Sequence, residues 1–407
     1  MDEPFDLIVI GTGFAGAFFL HEALHHLKAD ARVLVLERGK HRDRPWQLSN
    51  RGGLFAHGRR SFHNATPSKP WRFSVGLGGS SNCWVGCTPR MLPEDFELKT
   101  RYGVGRDWPL TYDDLEADYL TVERMMAISG PDNTALFPRS APYPQGPHRL
   151  QRPEEVLREA YPDRFFAMPT ARSRLGTDSR AACCNNTRCQ LCPIDAKFTI
   201  LNGMMPALKD PRVTLLTSAR ADALDLVGGV VKGVAYRHGG RDKRARGDFV
   251  ALATNAVFNP ALLLTSGLDG PAVGKGLVEQ VSLRADVLLD GMDAFQGSTY
   301  LTGHGYMLYG GEHRRTHAAG LIETRNRPEL RMERGKWRQR MKLKVVYEDL
   351  PLDQNHVEAT GEVNRPAKTH FKGRSDYAKR ALARCEADLT RVLAPLPVES
   401  LRVERRP

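Results

Sequence analysis

A glycine turn near the N-terminus constrains the fold of this chain more than any other feature. The motif Gly11-x-Gly13-x-x-Gly16 stands between two apolar segments of different periodicity. The preceding segment, Phe5–Ile10, predicts a short strand, and the following segment, 17–27, has the apolar spacing of a helix. In such a unit the first glycine permits the tight turn, the second lets the backbone approach a pyrophosphate, and the third lets helix and strand pack closely. The motif therefore predicts a dinucleotide-binding βαβ unit.

A carboxylate at the end of the second strand narrows the choice of dinucleotide. The apolar run 32–36 predicts this strand, and Glu37 follows Gly16 by 21 residues. A carboxylate at this place accepts hydrogen bonds from ribose hydroxyls and repels a 2′-phosphate, so NADP is disfavoured while FAD and NAD remain open. The predicted contacts from this unit are Gly11, Gly13, Phe14, Ala15, Gly16, Glu37 and Arg38.

The rest of the pattern predicts an α/β protein in which the dinucleotide fold is interrupted along the chain. Helical spacing predicts helices at 112–128 and 375–393. A second domain is therefore expected between and after the strands of the first. The later strands are predicted at 213–217, 223–227, 230–236 and 249–253, with a helix at 259–266.

The segment 76–86, Gly-Leu-Gly-Gly-Ser-Ser-Asn-Cys-Trp-Val-Gly, decides between the two dinucleotides. It resembles the first signature of the glucose–methanol–choline (GMC) oxidoreductase family, in which this loop lies along the flavin and the diphosphate. Glycines in such a loop allow the backbone to approach a flat ring closely. The resemblance implies FAD as the cofactor, with contacts from Gly78, Gly79, Ser80, Ser81, Asn82, Trp84 and Val85.

The resemblance extends over nearly the whole chain. Residues 101–119 are similar to the stretch that follows this loop in the bacterial branch of the family that oxidises sugars and polyols. The family's strand pair beside the adenine is matched at 213–234, and its strand-to-helix element at 249–264. Thr254 stands where the family usually has a glycine. These matches imply further FAD contacts from Ala221, Ala253 and Asn255.

The same resemblance implies the domains and the activity. The expected fold class is α/β, with a Rossmann-like FAD-binding domain of the GMC type and a discontinuous α+β substrate domain. The FAD-binding domain is expected at 1–110 and 200–285, and the substrate domain at 111–199 and 286–407. The expected activity is oxidation of a hydroxyl group in a sugar, a polyol or an alcohol.

The resemblance also predicts that a catalytic segment lies beyond this sequence. GMC enzymes carry a catalytic histidine in a C-terminal segment, and this sequence ends at residue 407 before such a segment. That histidine removes the hydroxyl proton, a task for which an imidazole is suited. We expect a truncated chain or one half of a split enzyme, and we assign no catalytic residue. The later histidines are predicted to be surface or structural residues: His304, His313, His317, His356 and His370.

Four of the seven cysteines fall in one loop, 183–192, which is not the distribution of scattered structural thiols. The spacing leaves open an iron–sulfur cluster, a zinc site and disulfides that involve Cys83 or Cys87. The loop resembles that of the cytochrome-linked sugar dehydrogenases of the family, in which three cysteines hold a [3Fe–4S] cluster. Cys184 would then be free or bonded to Cys87. The ligands implied by the resemblance are Cys183, Cys189 and Cys192.

The net charge of +12 bears on the partners of the chain. Much of the excess is local, because residues 312–344 contain eleven Lys or Arg and four Glu. No nucleic-acid motif accompanies this segment, so we expect no nucleic-acid partner. A solvated basic face and a docking patch for an acidic redox partner both fit the charge. A cluster that passes electrons singly implies an acceptor subunit of the cytochrome c type.

The N-terminus carries no pattern of an export signal. The apolar run 7–20 follows Asp2 and Glu3 rather than a basic region, and no small-residue cleavage site comes after it. No stretch reaches the ~18 apolar residues that a membrane span needs. We expect a cytoplasmic protein, or a periplasmic one that is exported together with a small signal-bearing subunit.

Overall fold

The chain folds into two compact units, each assembled from separate segments. A computed structural model describes residues 4–50, 53, 55–132 and 135–404, except for the side chain of Ala56. Asp2 and Glu3, on which the leader prediction rests, and the C-terminal residues 405–407 lie outside the described residues. The first unit comprises Met1–Trp84, Thr199–Leu277 and Leu352–Gly373, and the second comprises Val85–Phe198, Val278–Pro351 and Arg374–Pro407.

The strands and helices are numbered here in chain order. Among the described residues, no helix combines the length and the apolar character that crossing a membrane requires. The strands are β1 (Phe5–Ile10), β2 (Val33–Glu37), β3 (His63–Asn64), β4 (Phe165–Ala167), β5 (Val213–Thr217), β6 (Ala219–Val227), β7 (Val230–His238), β8 (Arg241–Leu252), β9 (Val281–Leu289), β10 (Leu301–Leu308), β11 (Gly320–Arg325), β12 (Arg340–Tyr347), β13 (His356–Ala359), β14 (Ala367–His370) and β15 (Val398–Glu404). The helices are α1 (Phe14–His26), α2 (Arg44–Ser49), α3 (Ala56–Arg60), α4 (Leu98–Tyr102), α5 (Tyr112–Met125), α6 (Arg152–Ala160), α7 (Ile200–Gly203), α8 (Met205–Leu208), α9 (Asn255–Thr265) and α10 (Asp376–Val392).

The first unit is built on a six-stranded sheet in the order β5-β2-β1-β8-β7-β6. The strands β5, β2, β1 and the last part of β8 are parallel. The strands β6, β7 and the first part of β8 form an antiparallel ribbon at one edge. Because β1 pairs with β2 on one side and β8 on the other, the carboxyl ends of these strands form the crevice in which open α/β sheets bind ligands.

Burial on both faces explains the apolar runs of the parallel strands. All five residues of β2 are buried, and so are the last four of β1, as expected for parallel strands that are covered on both sides. The helix α1 contributes the small buried residues Gly16 and Ala17 near its start and Leu20 and Leu24 farther along. Small residues at its start let the helix approach the strands closely.

A three-stranded sheet, β13-β14-β3, completes the first unit. The strands β13 and β14 form an antiparallel hairpin within Leu352–Gly373. Val357 of β13 and Ala367 of β14 share a buried cluster with Val257, Phe258 and Ala261 of α9. This apolar contact fixes the hairpin on the helix that follows β8.

The second unit contains a six-stranded antiparallel sheet in the order β15-β9-β12-β11-β10-β4. Burial alternates along β9 and β12, so one face is apolar and the other polar. The apolar face shares its core with α10, for example Val287 and Val345 with Cys385 and Leu389. The hydroxyl of Ser375 caps α10 by accepting a hydrogen bond from the backbone N–H of Ala378.

The two units differ in extent from the predicted domains, 1–110 with 200–285 and 111–199 with 286–407. The first section of the first unit ends at Trp84, and the segment Leu352–Gly373 returns to it. Residues 278–285 lie in the second unit because β9 pairs with β12 and β15. The predicted α/β class with a Rossmann-like FAD-binding domain is confirmed by this topology.

Truncation of Leu34 tests the core of the parallel sheet. Leu34 of β2 is 1% exposed and lies in the cluster that joins the strands to α9. We expect Leu34→Ala to lower the free energy of unfolding by about 2–5 kcal/mol, because it leaves a cavity. Urea unfolding followed by FAD fluorescence reports on this unit. The control, Val227→Ala, removes a side chain that is 62% exposed and should change stability by no more than about 0.5 kcal/mol. Equal losses in both variants would contradict this assignment of the core.

Candidate functional site

A cleft of about 1050 Å³ opens in the first unit at the carboxyl ends of β1, β2 and β8. Backbone of the first turn, the end of β2 and the start of α9 form its walls. Its size is at the upper end of the range that is usual for cofactor sites. The predicted site residues that line it are Gly11, Gly13, Phe14, Ala15, Glu37, Arg38, Gly79, Ser80, Ala221, Ala253 and Asn255.

The three glycines of the first turn have different surroundings. Gly11 has φ +107°, and a Cβ there would overlap the carbonyl oxygen of Ala253. A Cβ at Gly16 would overlap the carbonyl oxygen of Gly11. A Cβ at Gly13 would meet nothing within 4 Å, because this residue borders the open cleft where α1 begins. Gly11 and Gly16 are thus required by the fold, whereas Gly13 leaves room for a ligand.

Glu37 is held in place by the first turn. Its carboxylate accepts hydrogen bonds from the hydroxyl of Thr12 at 2.6 Å, the backbone N–H of Thr12 at 3.3 Å and the backbone N–H of Gly39 at 2.8 Å. Burial raises the pKa of Glu37, and these hydrogen bonds act in the opposite direction. The backbone N–H of Gly76 is a further donor to this carboxylate, so Glu37 ties the end of β2 to both glycine loops.

The second glycine loop packs directly against the first turn. A 3₁₀ turn spans Gly79–Asn82, and the N–H of Gly78 donates to the hydroxyl of Thr12 at 3.1 Å. A Cβ on Gly79 would come within 3.1 Å of the Cα of Gly13. The hydroxyl of Ser81 donates to the carbonyl of Gly78 at 2.6 Å, which stabilises the turn. The loop therefore places two backbone segments side by side at one wall of the cleft.

Several predicted contacts support the cleft rather than line it. The amide of buried Asn82 donates to the carbonyl oxygens of Leu77 at 2.9 Å and Gly79 at 3.1 Å. The indole of Trp84 stacks edge-on against Phe14 with 4.7 Å between ring centroids. Val85 begins the second unit. The predicted residues outside the cleft lining are Gly16, Gly78, Ser81, Asn82, Trp84 and Val85.

Thr254 occupies the place of the family glycine without backbone strain. Its φ is −89°, which any residue adopts, and its N–H and hydroxyl both donate to the side-chain oxygen of Asn259, at 2.8 and 2.6 Å. The left-handed residue is Asn255, with φ +83°. Its side-chain oxygen accepts from the backbone N–H of Val257 at 2.8 Å and so satisfies a donor in the first turn of α9.

The far wall of the cleft was predicted only in part. Its edge ribbon, with Asp222 and Tyr236, belongs to the strand pair expected beside the adenine, whereas Glu362 and Val363 of the turn between β13 and β14 were not predicted. Arg38 links the two walls, because its guanidinium donates to the carbonyl of Asn364 at 2.9 Å. Burial and the charge of Arg220 lower the pKa of Arg38 to about 10. The positive charge at this end of the cleft suits an anionic ligand.

The cysteine loop lies in the second unit and contains free thiols. None of the seven cysteines, each of which is described, forms a disulfide, so the pairings with Cys83 or Cys87 considered above are not present. Cys184 is exposed, whereas Cys189 and Cys192 are buried. Burial raises the pKa of Cys189 to about 11, and the neighbouring thiols of Cys183 and Cys192 add to the increase. The charges of Cys183 and Cys192 thus act on Cys189, but the three Sγ atoms do not all lie within 4.8 Å of one another.

Two buried cations accompany the loop. Arg172 donates to the hydroxyl of Thr299 at 2.8 Å and to backbone carbonyls of Val85 and Leu301, and it forms no ion pair with the described carboxylates. The buried ammonium of Lys197 donates to the carbonyl of Gln190 at 3.0 Å. Arg172 and Lys197 both act to lower the pKa of Cys189. Their charges favour anionic thiolates in the loop.

A second group of potential metal ligands lies on the sheet of the second unit. The thiol of Cys87 is 3.4 Å from Nε2 of His304 and 3.7 Å from the carboxylate of Glu323. Burial lowers the pKa of His304 to about 4, so its imidazole stays neutral. Arg172 and Lys344 bring positive charge to this group. Such charge opposes a bound cation, and we assign no metal to it.

Ion pairs neutralise much of the basic segment 312–344. The buried guanidinium of Arg314 lies 2.8 Å from Asp95 and 2.9 Å from Glu348. Along the rest of the segment the cations meet carboxylates of neighbouring strands and loops. These pairs are Arg331 with Glu399, Lys336 with Asp290 and Glu399, Arg338 with Asp293, and Arg340 with Asp286. The charge excess therefore serves largely to bind segments of the unit together.

Alanine substitutions at Gly11 and Gly13 distinguish a glycine that the fold requires from one that ligand binding requires. We expect Gly13→Ala to leave the unfolding temperature of the cofactor-free protein unchanged, because its methyl group enters open space. The same methyl group should weaken FAD binding by about tenfold or more, because it blocks the approach of the diphosphate. Fluorescence titration with FAD measures this loss. The comparison variant, Gly11→Ala, should lower the unfolding temperature itself, because its methyl group overlaps Ala253. Normal FAD affinity in Gly13→Ala would contradict the assignment.

Comparison with known proteins places this site in context. No family model matches the chain. The fructose dehydrogenase large subunit of Gluconobacter japonicus is 27% identical over 305 residues, which are 65% of this chain and 54% of that protein. The 6‴-hydroxyparomomycin C oxidase of Streptomyces lividus is 31% identical over 312 residues, which are 69% of this chain and 55% of that protein. The 2-methyl-1,2-propanediol dehydrogenase of Mycolicibacterium austroafricanum is 26% identical over 304 residues. The chain spans about half the length of these curated relatives.

The fold has a counterpart among solved structures. The crystal structure of pyridoxine 4-oxidase from Mesorbium loti matches 96% of this chain and 80% of its own, with a TM-score of 0.60 and 16% sequence identity. At that identity the likeness shows the fold alone. The relatives are named dehydrogenases and oxidases. Fold and relatives together point to the GMC oxidoreductase family.

Proposed function

We propose that this chain is the FAD-binding part of a GMC dehydrogenase that oxidises a hydroxyl group of a sugar, a polyol or an alcohol. The observation that carries the proposal is the cleft of the first unit, where two glycine loops present backbone to one cavity. Bound FAD would supply a two-electron acceptor for the hydride that leaves the hydroxyl-bearing carbon.

The residues of the cleft fit FAD by their chemistry. The first N–H groups of α1, around Gly13 and Phe14, border the cavity and suit a diphosphate. Glu37 is fixed at the end of β2, where a ribose is expected. Arg38 adds positive charge on the same side. We therefore assign to these residues the binding and orientation of the dinucleotide.

The names of the relatives support the substrate class. Fructose, hydroxyparomomycin and 2-methyl-1,2-propanediol all bear hydroxyl groups, although they differ widely in size. Because one relative is named an oxidase, molecular oxygen as the acceptor is the second candidate function. The identity of the electron acceptor distinguishes the two.

We further infer that the loop 183–192 holds an iron–sulfur cluster through Cys183, Cys189 and Cys192. Metal binding deprotonates coordinating thiols, so three ligands would place three negative charges in this loop, two of them at the buried Cys189 and Cys192. The buried cations of Arg172 and Lys197 would offset part of that charge. Three residues of the region, Asn185, Thr187 and Asp195, have positive φ, and local strain of this kind is concentrated at functional sites.

The cluster would give the enzyme a route to a one-electron acceptor. One relative is named a large subunit, which supports a multi-subunit enzyme. We propose an acceptor subunit of the cytochrome c type and a small subunit that carries an export signal, which would place the complex in the periplasm. The alternative location that we propose is the cytoplasm.

Anaerobic titration of the FAD-loaded protein tests the substrate class. We expect one of three classes, aldoses and ketoses, polyols or simple alcohols, to bleach the flavin absorption, because the hydride passes from carbon to FAD. The matched control is the carbonyl product of the same compound, which has no hydride to give. Faster reoxidation by a one-electron acceptor than by oxygen indicates a dehydrogenase, and the reverse indicates an oxidase. A flavin band that no class bleaches would contradict hydroxyl oxidation by this chain alone and would leave it the role of binding FAD.

Serine substitutions in the cysteine loop test the iron–sulfur assignment. We expect about three iron atoms per chain and a broad absorption that remains after the flavin is bleached. Cys189→Ser should lose the iron while FAD remains bound, because a buried ligand is removed. Cys184→Ser changes an exposed cysteine of the same loop and should keep the iron. Iron and sulfide analysis with electron paramagnetic resonance measures both. Zinc in place of iron, or equal iron in the two variants, would contradict the assignment.

A further inference from the structure

The hairpin β13–β14 carries three potential metal ligands at one point of its surface. His356 pairs with His370 across the two strands, and Glu358 follows His356 by two residues on the same side of the strand. Nε2 of His356 lies 3.2 Å from one carboxylate oxygen of Glu358, and Nε2 of His370 lies 2.9 Å from the other. The two imidazole rings are stacked, with 4.5 Å between their centroids and an angle of 9° between their planes.

In the neutral imidazole of His356, the hydrogen bond to the backbone directs the proton away from the carboxylate. Nδ1 of His356 lies 3.1 Å from the backbone carbonyl of Gln354, which can only accept a hydrogen bond. Nδ1 therefore carries the proton in the neutral imidazole, and Nε2 presents a lone pair toward Glu358. Two acceptors that face each other need a proton or a cation between them. A carbonyl that fixes the tautomer in this way is typical of histidines that bind metals.

We propose that His356, Glu358 and His370 bind a divalent transition-metal ion of the zinc class. Two imidazoles and one carboxylate are ligands that Zn²⁺ accepts, with bonds of about 2.0–2.2 Å. The three ligand atoms all lie within 4.8 Å of one another, so a cation fits between them after small side-chain shifts. Water from the solvent completes the coordination, since the side chains are 29%, 48% and 16% exposed, respectively.

Lys368 is the described cation that competes for the carboxylate. Its ammonium lies 3.9 Å from Glu358 and its side chain is 43% exposed, so it can move into solvent when a metal binds. Lys275 and Asp353 line the adjoining surface depression and contribute opposite charges there. The surroundings therefore add no large net charge that would repel a divalent cation.

The position of the site relates it to the cleft of the first unit. The ligands lie on both strands of the hairpin, and its connecting turn contributes Gly361, Glu362, Val363 and Pro366 to the cleft wall. A metal bound by β13 and β14 would link these strands on either side of that turn. The site is thus a cross-link at the base of the cleft wall, separate from the dinucleotide contacts.

Titration of the FAD-loaded chain with ZnCl₂ alone tests the proposal. After treatment with a chelator and dialysis, isothermal titration calorimetry should show saturable binding, and Zn²⁺ should raise the unfolding temperature. We expect His370→Asn and Glu358→Gln each to weaken this binding by about tenfold or more, because each removes a ligand. Lys368→Ala should strengthen it, because the competing ammonium is gone.

A second histidine pair provides the matched control. His25 lies on α1 with its ring 4.7 Å from that of His21, on a different surface of the same unit. His25→Asn makes the same chemical change as His370→Asn and should leave Zn²⁺ binding intact. Loss of binding in His25→Asn with retention in His370→Asn would overturn the proposal, as would the absence of saturable binding in the unmodified chain. The unfolding temperatures of the metal-free variants show that each is folded.

Discussion

The close approach of glycine backbones at the carboxyl ends of β1 and β2 is the constraint on which the first unit depends. A Cβ at Gly11 would overlap Ala253 after β8, and a Cβ at Gly39 would overlap the backbone of Gly76. Segments that are far apart in the sequence thus meet with no room for a side chain. Because the same contacts shape the cleft, the packing of the sheet and the shape of the binding site depend on the same glycines.

The N-terminal part of this arrangement could be predicted because its signals are local. The predicted strand Phe5–Ile10 agrees with β1, and the glycine spacing specifies the turn before α1. The hairpin β13–β14 offered no comparable signal. Its strands are four residues each, and Val357 and Ala367 acquire their role only by packing on α9, far earlier in the chain. Periodicity cannot reveal a strand that is specified by a distant helix.

The cysteine loop is a second case in which the sequence predicts one part of a site and the structure shows another part. Spacing indicates thiol ligands, but it does not show which charges surround them. In the structure Arg172 and Lys197 are buried, and the positive charge of each acts to lower the pKa of the Cys189 thiol. The environment is therefore arranged for negative charge. Thr254 illustrates the opposite case, since a departure from the family pattern is harmless where the backbone needs no glycine.

Charge and tautomer, rather than ligand type and distance alone, separate the two histidine clusters of this chain. Cys87, His304 and Glu323 lie as close together as His356, Glu358 and His370. In the first cluster His304 is buried, the other two residues are half-buried, and Arg172 and Lys344 lie nearby, so a divalent cation would meet two positive charges that solvent screens only in part. The second cluster is open to water, and the ammonium of Lys368 beside Glu358 can withdraw into solvent. The carbonyl of Gln354 also leaves a lone pair at Nε2 of His356 aimed at a carboxylate. A cation between the two facing acceptors would stabilise the second cluster. In the first cluster the same cation would be repelled by the neighbouring positive charges.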